Sequence, residues 1–347
     1  MNVVRSSSAT GTNIADPSIT SPAPAGEAGR RPGEGLYRGR FAPTPSGELH
    51  FGSLVAAVGS YLDARAHGGE WLVRIEDLDP PRERPGAADQ ILRSLDQLGL
   101  RWDGPVLRQS SRSAAYDEAL ARLEGLSVTR NCACSRSALA ALPENRDRLP
   151  GEELFHPAQC LEPLVGAAAG SAIRLRVPDR EIEFTDRSLG VCRINPAHTG
   201  GDFVLRRRDG LFAYQLAVVV DDAAQGITDV VRGADLLAST PRQRLLHEAL
   251  GLPRPGYMHL PLAVDERGLK LSKSEDAPAV GQSAPAASIV AVLEFLEQEP
   301  PAAMARAGVD EVLQWGVAHW RPERFSGSSA RRVRGPAARF VNQEPTR

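Results

Sequence analysis

A chain of 347 residues, 42% hydrophobic and 24% charged, is long enough for roughly two domains and a sizeable buried core. A formal net charge of −2 argues against a protein that coats nucleic acid non-specifically, yet leaves room for a local arginine surface against a folded RNA. There is no apolar run long enough for a transmembrane helix, and the sparse cysteines suit a reducing cytoplasm with thiols left for metal binding or burial.

Residues 1–36 are rich in Ser, Ala, Gly and Pro and lack an apolar h-region, so they read as a disordered extension and not as a secretory signal. From Tyr37, residues 38–43 predict a short strand entering a turn with Pro43, Pro45 and Gly47. His50-Phe51-Gly52-Ser53 follows, and Leu54, Val55, Val58, Tyr61 and Leu62 then recur at helical spacing, with Ser53 expected as the N-cap. Strand, glycine-bearing turn and helix is how a nucleotide-binding α/β fold opens. Residues 71–76 predict a second strand that ends in the acidic run Glu76-Asp77-Leu78-Asp79. Helices are expected over 86–99 and 113–125, completing a first catalytic half over 37–128.

Between 129 and 186 the cysteines cluster, the loops turn Pro/Gly-rich and apolar alternation returns at 172–177, which predicts an inserted subdomain. The nucleotide fold is expected to resume in a second half over 187–260, with Phe203-Val204-Leu205 as a strand. Residues 212–222 suit the start of a helix or a buried strand, and the apolar run does not decide between them. A strand over 227–232 and a helix over 240–250 follow. A lysine-bearing loop and a small helical subdomain fill 261–320, with helices at 287–298 and 310–320, before a disordered tail over 321–347.

Lysine occurs only at Lys270 and Lys273, inside Lys270-Leu271-Ser272-Lys273-Ser274, in a chain whose other cations are all arginine. An ammonium is a compact charge on a flexible stem, whereas guanidinium is a rigid fork, so a loop that brings charge to nucleotide phosphates favours lysine. At the mouth of the first helix, Gly52 lets backbone approach a nucleotide and the helix N-terminus offers free N–H groups to anionic oxygen. His50 would then act from one side and Lys270 and Lys273 from the other, stabilising charge at a reacting phosphate. Either segment alone is a modest signal. Together, in this order around an α/β pattern, they are specific.

Cys132 and Cys134 precede His156 and Cys160, and three thiols with one imidazole suit a closed, structural tetrahedral zinc site. Such a metal would staple an insertion too small to hold itself together, whereas without it these are simply reduced, buried thiols. Cys192 falls outside the group and is expected in packing.

At these residues the chain resembles the class I aminoacyl-tRNA synthetases, whose HIGH and KMSKS signatures match His50-Phe51-Gly52-Ser53 and Lys270-Leu271-Ser272-Lys273-Ser274. It is most similar to the glutamyl branch, through Arg40-Phe41-Ala42-Pro43-Thr44-Pro45-Ser46-Gly47, Arg74-Ile75-Glu76-Asp77-Leu78-Asp79 and Val231-Arg232-Gly233-Ala234-Asp235-Leu236. The resemblance covers residues 37–280. It departs at Ser53, where the family has histidine, and at His156, where relatives often have tyrosine before the last cysteine. It implies a Rossmann-type α/β catalytic domain with a zinc-binding insertion and a small C-terminal helical subdomain.

The resemblance also implies roles. His50, Ser53, Lys270 and Lys273 would be catalytic, with His50, Gly52 and Lys273 on ATP and Mg2+ accompanying it. Arg40, Phe41, Ala42, Pro43, Thr44, Glu76, Tyr214 and Arg232 would line the glutamate pocket, with Arg40, Tyr214 and Arg232 toward the side-chain carboxylate and Glu76 toward the ammonium. The bland alternatives are surface charge for Arg40 and Arg232, a simple Arg74 partner for Glu76, and ordinary core for Tyr214. Asp77 and Asp79 are expected to orient loops or pair with Arg82 and Arg84, and Arg206-Arg207-Arg208 to be a solvated charge run. The residues after the lysine loop are too few for an anticodon-binding region, which points to the truncated glutamyl-Q branch of the family. That branch activates L-glutamate without tRNA and transfers it to the queuosine base at the wobble position of tRNA(Asp). A cytoplasmic monomer with no membrane contact is expected. The alternatives are an ordinary glutamyl enzyme charging the tRNA 3′ end and a non-catalytic paralogue.

Overall fold

The computed structural model describes residues 36–146, 148, 154–159, 170–265 and 284–333. The first catalytic half contains β1 (Arg38–Phe41), α1 (Phe51–Ala66), β2 (Glu70–Ile75), α2 (Ala87–Gln97), β3 (Leu107–Arg108) and α3 (Ser113–Gly125). Next come β4 (Thr129–Cys132), α4 (Arg136–Ala140), β5 (Ala172–Leu175), β6 (Ile182–Asp186), β7 (Gly190–Ile194), α5 (Pro196–Thr199) and β8 (Phe203–Arg206). The remainder is α6 (Tyr214–Ala224), β9 (Asp229–Gly233), α7 (Ser239–Leu250), β10 (Gly256–Leu260), β11 (Leu262–Val264), α8 (Pro285–Phe295), α9 (Val309–Ala318) and β12 (Ala330–Arg332).

β1 pairs in parallel with β2, and β2 with β3. Along β2, Trp71, Val73 and Ile75 line one face and are inaccessible to water, while the other face carries Leu72 and the buried Arg74. β10 pairs in parallel with both β9 and β6, and β6 turns back antiparallel into β7. The two sets meet at β1 and the start of β9, where Thr228 N–H donates to the Arg38 carbonyl at 2.9 Å and Arg38 N–H to Thr228 Oγ1 at 2.9 Å. The centre of the fold therefore joins segments far apart in the chain.

α1 carries Leu54, Val55, Val58 and Leu62 into one core with Trp71 of β2, Ile91 and Leu95 of α2, and Leu293 and Val312 of α8 and α9. The C-terminal helical unit thus packs directly on the helix that opens the nucleotide fold, and Phe51 meets Phe295 edge-on at 5.6 Å between ring centres. Within residues 212–222 the chain turns helical from Tyr214 as α6, after Phe212 bridges to Arg206, and α6 is buried at Gln215, Leu216, Ala217, Val218, Val219, Asp221 and Asp222 because α3 and α7 both pack on it.

Three expectations change. Residues 321–333, expected within the disordered tail, belong to the fold: Phe325 is fully buried in the core and β12 pairs in parallel with β11. Phe203-Val204-Leu205 does not resume the nucleotide sheet: β8 pairs antiparallel with β5, which pairs with β4, in a separate three-stranded sheet. Conversely β6, inside the expected insertion, belongs to the main sheet, because its alternation places Ile182, Phe184 and Asp186 inward. Among the described residues no helix is long and apolar enough to cross a membrane.

Candidate functional site

The turn after β1 delivers His50 to the start of α1, and here the structure corrects the cap. His50, with φ −91° and ψ 170°, is the N-cap, and its Nδ1 accepts the Ser53 N–H at 3.3 Å. With Nδ1 accepting, Nε2 carries the proton and donates to Ser53 Oγ at 3.0 Å. Ser53 sits at the third helical position because the imidazole reaches over the first turn and does what a serine cap would do. Gly52 lies under the same ring: a Cβ there would stand 3.4 Å from His50 Nδ1.

Behind the turn lies a buried charge cluster. Arg40, 4% exposed, directs Nε and Nη2 at the two oxygens of Asp222 at 3.2 and 3.5 Å. Arg74, wholly buried at the end of β2, meets the same Asp222 at 2.7 Å, reaches Glu76 at 3.7 Å and donates to Gln225 Oε1 at 2.7 Å. Burial opposes ionisation of Asp222, but Arg40 and Arg74 overcome it and hold the carboxyl below its ordinary range. Glu76 goes the other way: burial, only partly offset by Arg74 and Arg40, pushes its carboxyl up to about 7. Its Oε1 is buried and makes no hydrogen bond. Burial raises the Tyr214 hydroxyl, with Arg232 opposing the rise and Glu76 adding to it. Both readings of Glu76 therefore coexist, as a distant partner of Arg74 and as an acid with a free oxygen. Phe41 contributes otherwise: its ring stacks on Trp71 in the core, leaving only backbone for a ligand. Ala42 and Pro43 are partly exposed beyond it and Thr44 is exposed.

Arg232, on β9, is 4% exposed and donates from Nε to His259 Nε2 at 3.2 Å, from Nη1 to Gln243 Oε1 at 2.8 Å and from Nη2 to Thr240 Oγ1 at 2.8 Å. It is not a surface charge. Lys270, Lys273 and Cys160 lie outside the described residues.

The metal-ligand group assembles from the loop after β4 and from residue 156. One ligand atom each from Cys132, Cys134 and His156 lies within 4.8 Å of the others, all buried. Cys132 Sγ is 3.2 Å from His156 Nε2 and accepts the Cys134 N–H at 3.4 Å. Burial opposes the Cys132 thiolate, but the His156 contact and the Cys134 N–H outweigh it and bring the thiol down to about 6. Soft donors prepared to ionise at this separation fit a thiophilic cation such as zinc. His156 is seated by backbone: its N–H donates to the Gly200 carbonyl at 3.0 Å and its carbonyl accepts from Asp202 at 3.1 Å. Only glycine serves at 201, where φ is +66° and a Cβ would fall 1.7 Å from the His156 oxygen. Cys192 packs with Phe184, Leu189, Ile194 and Leu237, as expected.

Residues 37–285 match the model of the tRNA synthetases class I (E and Q) catalytic domain. The chain belongs to that family. A glutamyl-Q tRNA(Asp) synthetase from Pseudomonas aeruginosa is 53% identical over 289 residues, covering 83% of this chain and 95% of the relative. One from Dechloromonas aromatica is 55% identical over 284 residues, covering 82% and 94%. Among solved structures, a glutamate-tRNA synthetase from Elizabethkingia anophelis superposes with a TM-score of 0.71 at 26% identity, over 88% of this chain and 70% of that one.

For a class I synthetase of this branch, sequence reading missed the acids that hold the arginines. Asp222 receives Arg40 and Arg74, and Asp221, wholly buried, accepts from Tyr116 at 2.7 Å, Gln109 at 2.9 Å and Arg112 at 3.1 Å. The available signal was two adjacent acids closing an apolar helical run, since buried carboxylates need partners. Asp79 pairs with Arg82 and Arg207, whereas Asp77 accepts from Ser110. Arg206, Arg207 and Arg208 reach Asp117, Asp79 with Asp209, and the Gly170 carbonyl, as a solvated charge run does.

Proposed function

We propose that this class I synthetase activates L-glutamate with ATP, without tRNA, and transfers it to the queuosine base at the wobble position of tRNA(Asp). The observation that carries the reading is the buried group of Arg40, Arg74, Glu76 and Asp222 around the ends of β1 and β2, with Arg232 buried on β9, in a chain alike over nearly the whole length of relatives named for that reaction. A glutamate offers two carboxylates and an ammonium; guanidinium groups and a phenol suit the side-chain carboxylate, and the unsatisfied oxygen of Glu76 suits the ammonium.

In the first step an α-carboxylate oxygen attacks the α-phosphorus of ATP, which enters as its Mg2+ chelate, forming the mixed anhydride as the bond to pyrophosphate breaks. His50 Nε2–H, Ser53 Oγ and the α1 N-terminus would meet phosphate oxygens from one side, and Lys270 and Lys273 from the other. In the second step a hydroxyl of the queuosine cyclopentenediol attacks the anhydride carbonyl, an ester forms and AMP leaves. Cys132, Cys134, His156 and Cys160 would hold zinc, which would close the insertion as a structural staple. The enzyme would work as a cytoplasmic monomer alongside its tRNA.

The test is charging with radiolabelled glutamate. Label that appears only on queuosine-containing tRNA(Asp), and that is still incorporated when the 3′-terminal adenosine has been removed beforehand, is the expected result. Label on the 3′ end of tRNA(Glu) overturns the acceptor, and absence of ATP–pyrophosphate exchange with glutamate overturns the activity. Lys273→Ala is expected to abolish exchange with an unchanged melting curve.

A further inference from the structure

Arg40 and Arg232 are both buried, but their electrical surroundings differ. Arg40 shares Asp222 with Arg74, and Arg74 also reaches Glu76, so two guanidinium groups and two carboxyl groups form one set. Arg232 has no such counter-ion among the partners of its three nitrogens. His259 Nε2, Gln243 Oε1 and Thr240 Oγ1 are all neutral acceptors, and the guanidinium also lies 5.4 Å from the centre of the Tyr257 ring.

Neutrality at His259 is arranged. Its Nε2 accepts from Arg232, so Nδ1 carries the proton and donates to Asp186 at 2.6 Å. Asp186 stands one imidazole width away from Arg232 and is engaged by further donors, the backbone N–H groups of Ser188 at 3.0 Å, Leu189 at 2.9 Å and His259 at 3.2 Å. Asp186 thus fixes a tautomer and an orientation without touching the guanidinium. Gln243 is fixed in turn, donating to Gln215 Oε1 at 3.0 Å.

We infer that the Asp186–His259 pair, with Gln243 and Thr240, positions Arg232 as an uncompensated cation that selects a side-chain carboxylate over its isosteric amide. The inference rests on the glutamate reading above. A buried cation without a counter-ion is costly, and a bound carboxylate relieves that cost where an amide of equal shape does not. Arg40, already neutralised, supplies directional N–H groups. His259 and Gln243 are positioning residues, acting on substrate through Arg232.

The experiment compares glutamate with glutamine in ATP–pyrophosphate exchange by the full chain. Gln243→Glu introduces a carboxylate at Arg232 Nη1 with almost no change of shape. Its preference for glutamate over glutamine is expected to fall about tenfold or more, the scale of one charged hydrogen bond. His259→Leu is expected to raise the glutamate KM about tenfold with kcat within about twofold, and His259→Gln, whose amide oxygen can accept from Arg232, to restore most of it. Melting curves establish which variants fold, and if Gln243→Glu does not, the two His259 variants carry the question. An unchanged preference in folded Gln243→Glu, or an unchanged glutamate KM in folded His259→Leu, overturns the inference while glutamate exchange by the unaltered enzyme stands. Absence of that exchange overturns the glutamate reading and the inference with it.

Discussion

The Trp320 indole N–H donates to Asp63 Oδ1 at 2.9 Å, so a residue beyond α9 closes onto the last turn of α1. Asp63 has no exposed surface and also receives Arg187 at 3.1 Å and the Tyr37 hydroxyl. Removing its charge leaves Arg187 without its partner, so Asp63→Asn is expected to destabilise the fold by about 3–5 kcal/mol. Burial opposes the Asp63 carboxylate, but Arg187 and the hydrogen bonds win and depress its pKa. Its contribution is therefore complete above the unfolded value of about 4 and is lost as pH falls through the lower folded value. Urea denaturation at several pH values checks this: the unaltered and Asp63→Asn curves converge in acid, and a constant gap down to the lowest pH contradicts it.

Glu76 has the opposite sign. Its folded pKa, raised to about 7 by burial, means the protonated form suits the empty pocket. Its stabilising contribution is present below the unfolded value of about 4.3 and disappears as pH rises through 7. Glu76→Gln is expected to flatten stability across that window. In the proposed reading substrate reverses the preference, because an ammonium needs the carboxylate. The glutamate KM is expected to fall roughly tenfold between about pH 6 and pH 8, and steady-state exchange on Glu76→Gln to show a high KM without that slope.

His50 caps α1, and the chemical role proposed for it separates from capping by mutation. His50→Ala removes the α1 cap, worth about 0.5–2 kcal/mol, and is expected to slow adenylate formation about 10²–10³-fold. Ser53→Ala keeps the capped N–H and should leave thermal stability within about 0.5 kcal/mol while exchange declines. Normal exchange in a less stable His50→Ala would leave His50 with capping alone.

The Gly201 contact predicts a backbone route to metal loss. Gly201→Ala forces a Cβ onto the His156 carbonyl in a left-handed conformation that costs an ordinary residue about 1–2 kcal/mol before the clash is counted. Metal analysis of purified protein should find about one zinc per chain in the unaltered enzyme, less in Gly201→Ala and Cys134→Ser, and a melting temperature that falls with it. Full occupancy in both variants contradicts the assignment.

Much of this was legible in the residues. Leu54, Val55, Val58 and Leu62 announce α1 by spacing, and the cysteines announce a cluster that His156 joins in space. What escaped was set by partners distant in the chain. The alternation of residues 203–205 is identical for any half-buried strand, and only pairing with β5 decides its sheet. Ser53 satisfies every local rule for a cap, yet the imidazole three residues earlier has the longer reach. Asp222 looked like the end of an apolar run because the arginines it neutralises sit 182 and 148 positions upstream, and no local pattern encodes such a meeting.

The seam between β1 and β9 has a bearing on biosynthesis. As the polypeptide leaves the ribosome, Arg40 and Arg74 emerge long before the acid that neutralises them, and β1 waits with an open flank for a neighbour more than half the chain away. Pairings of such long range close late and slowly. The nascent enzyme therefore carries β1 as an open strand edge until Thr228 has been added, and unpaired backbone of that kind is a place for unwanted strand pairing during synthesis.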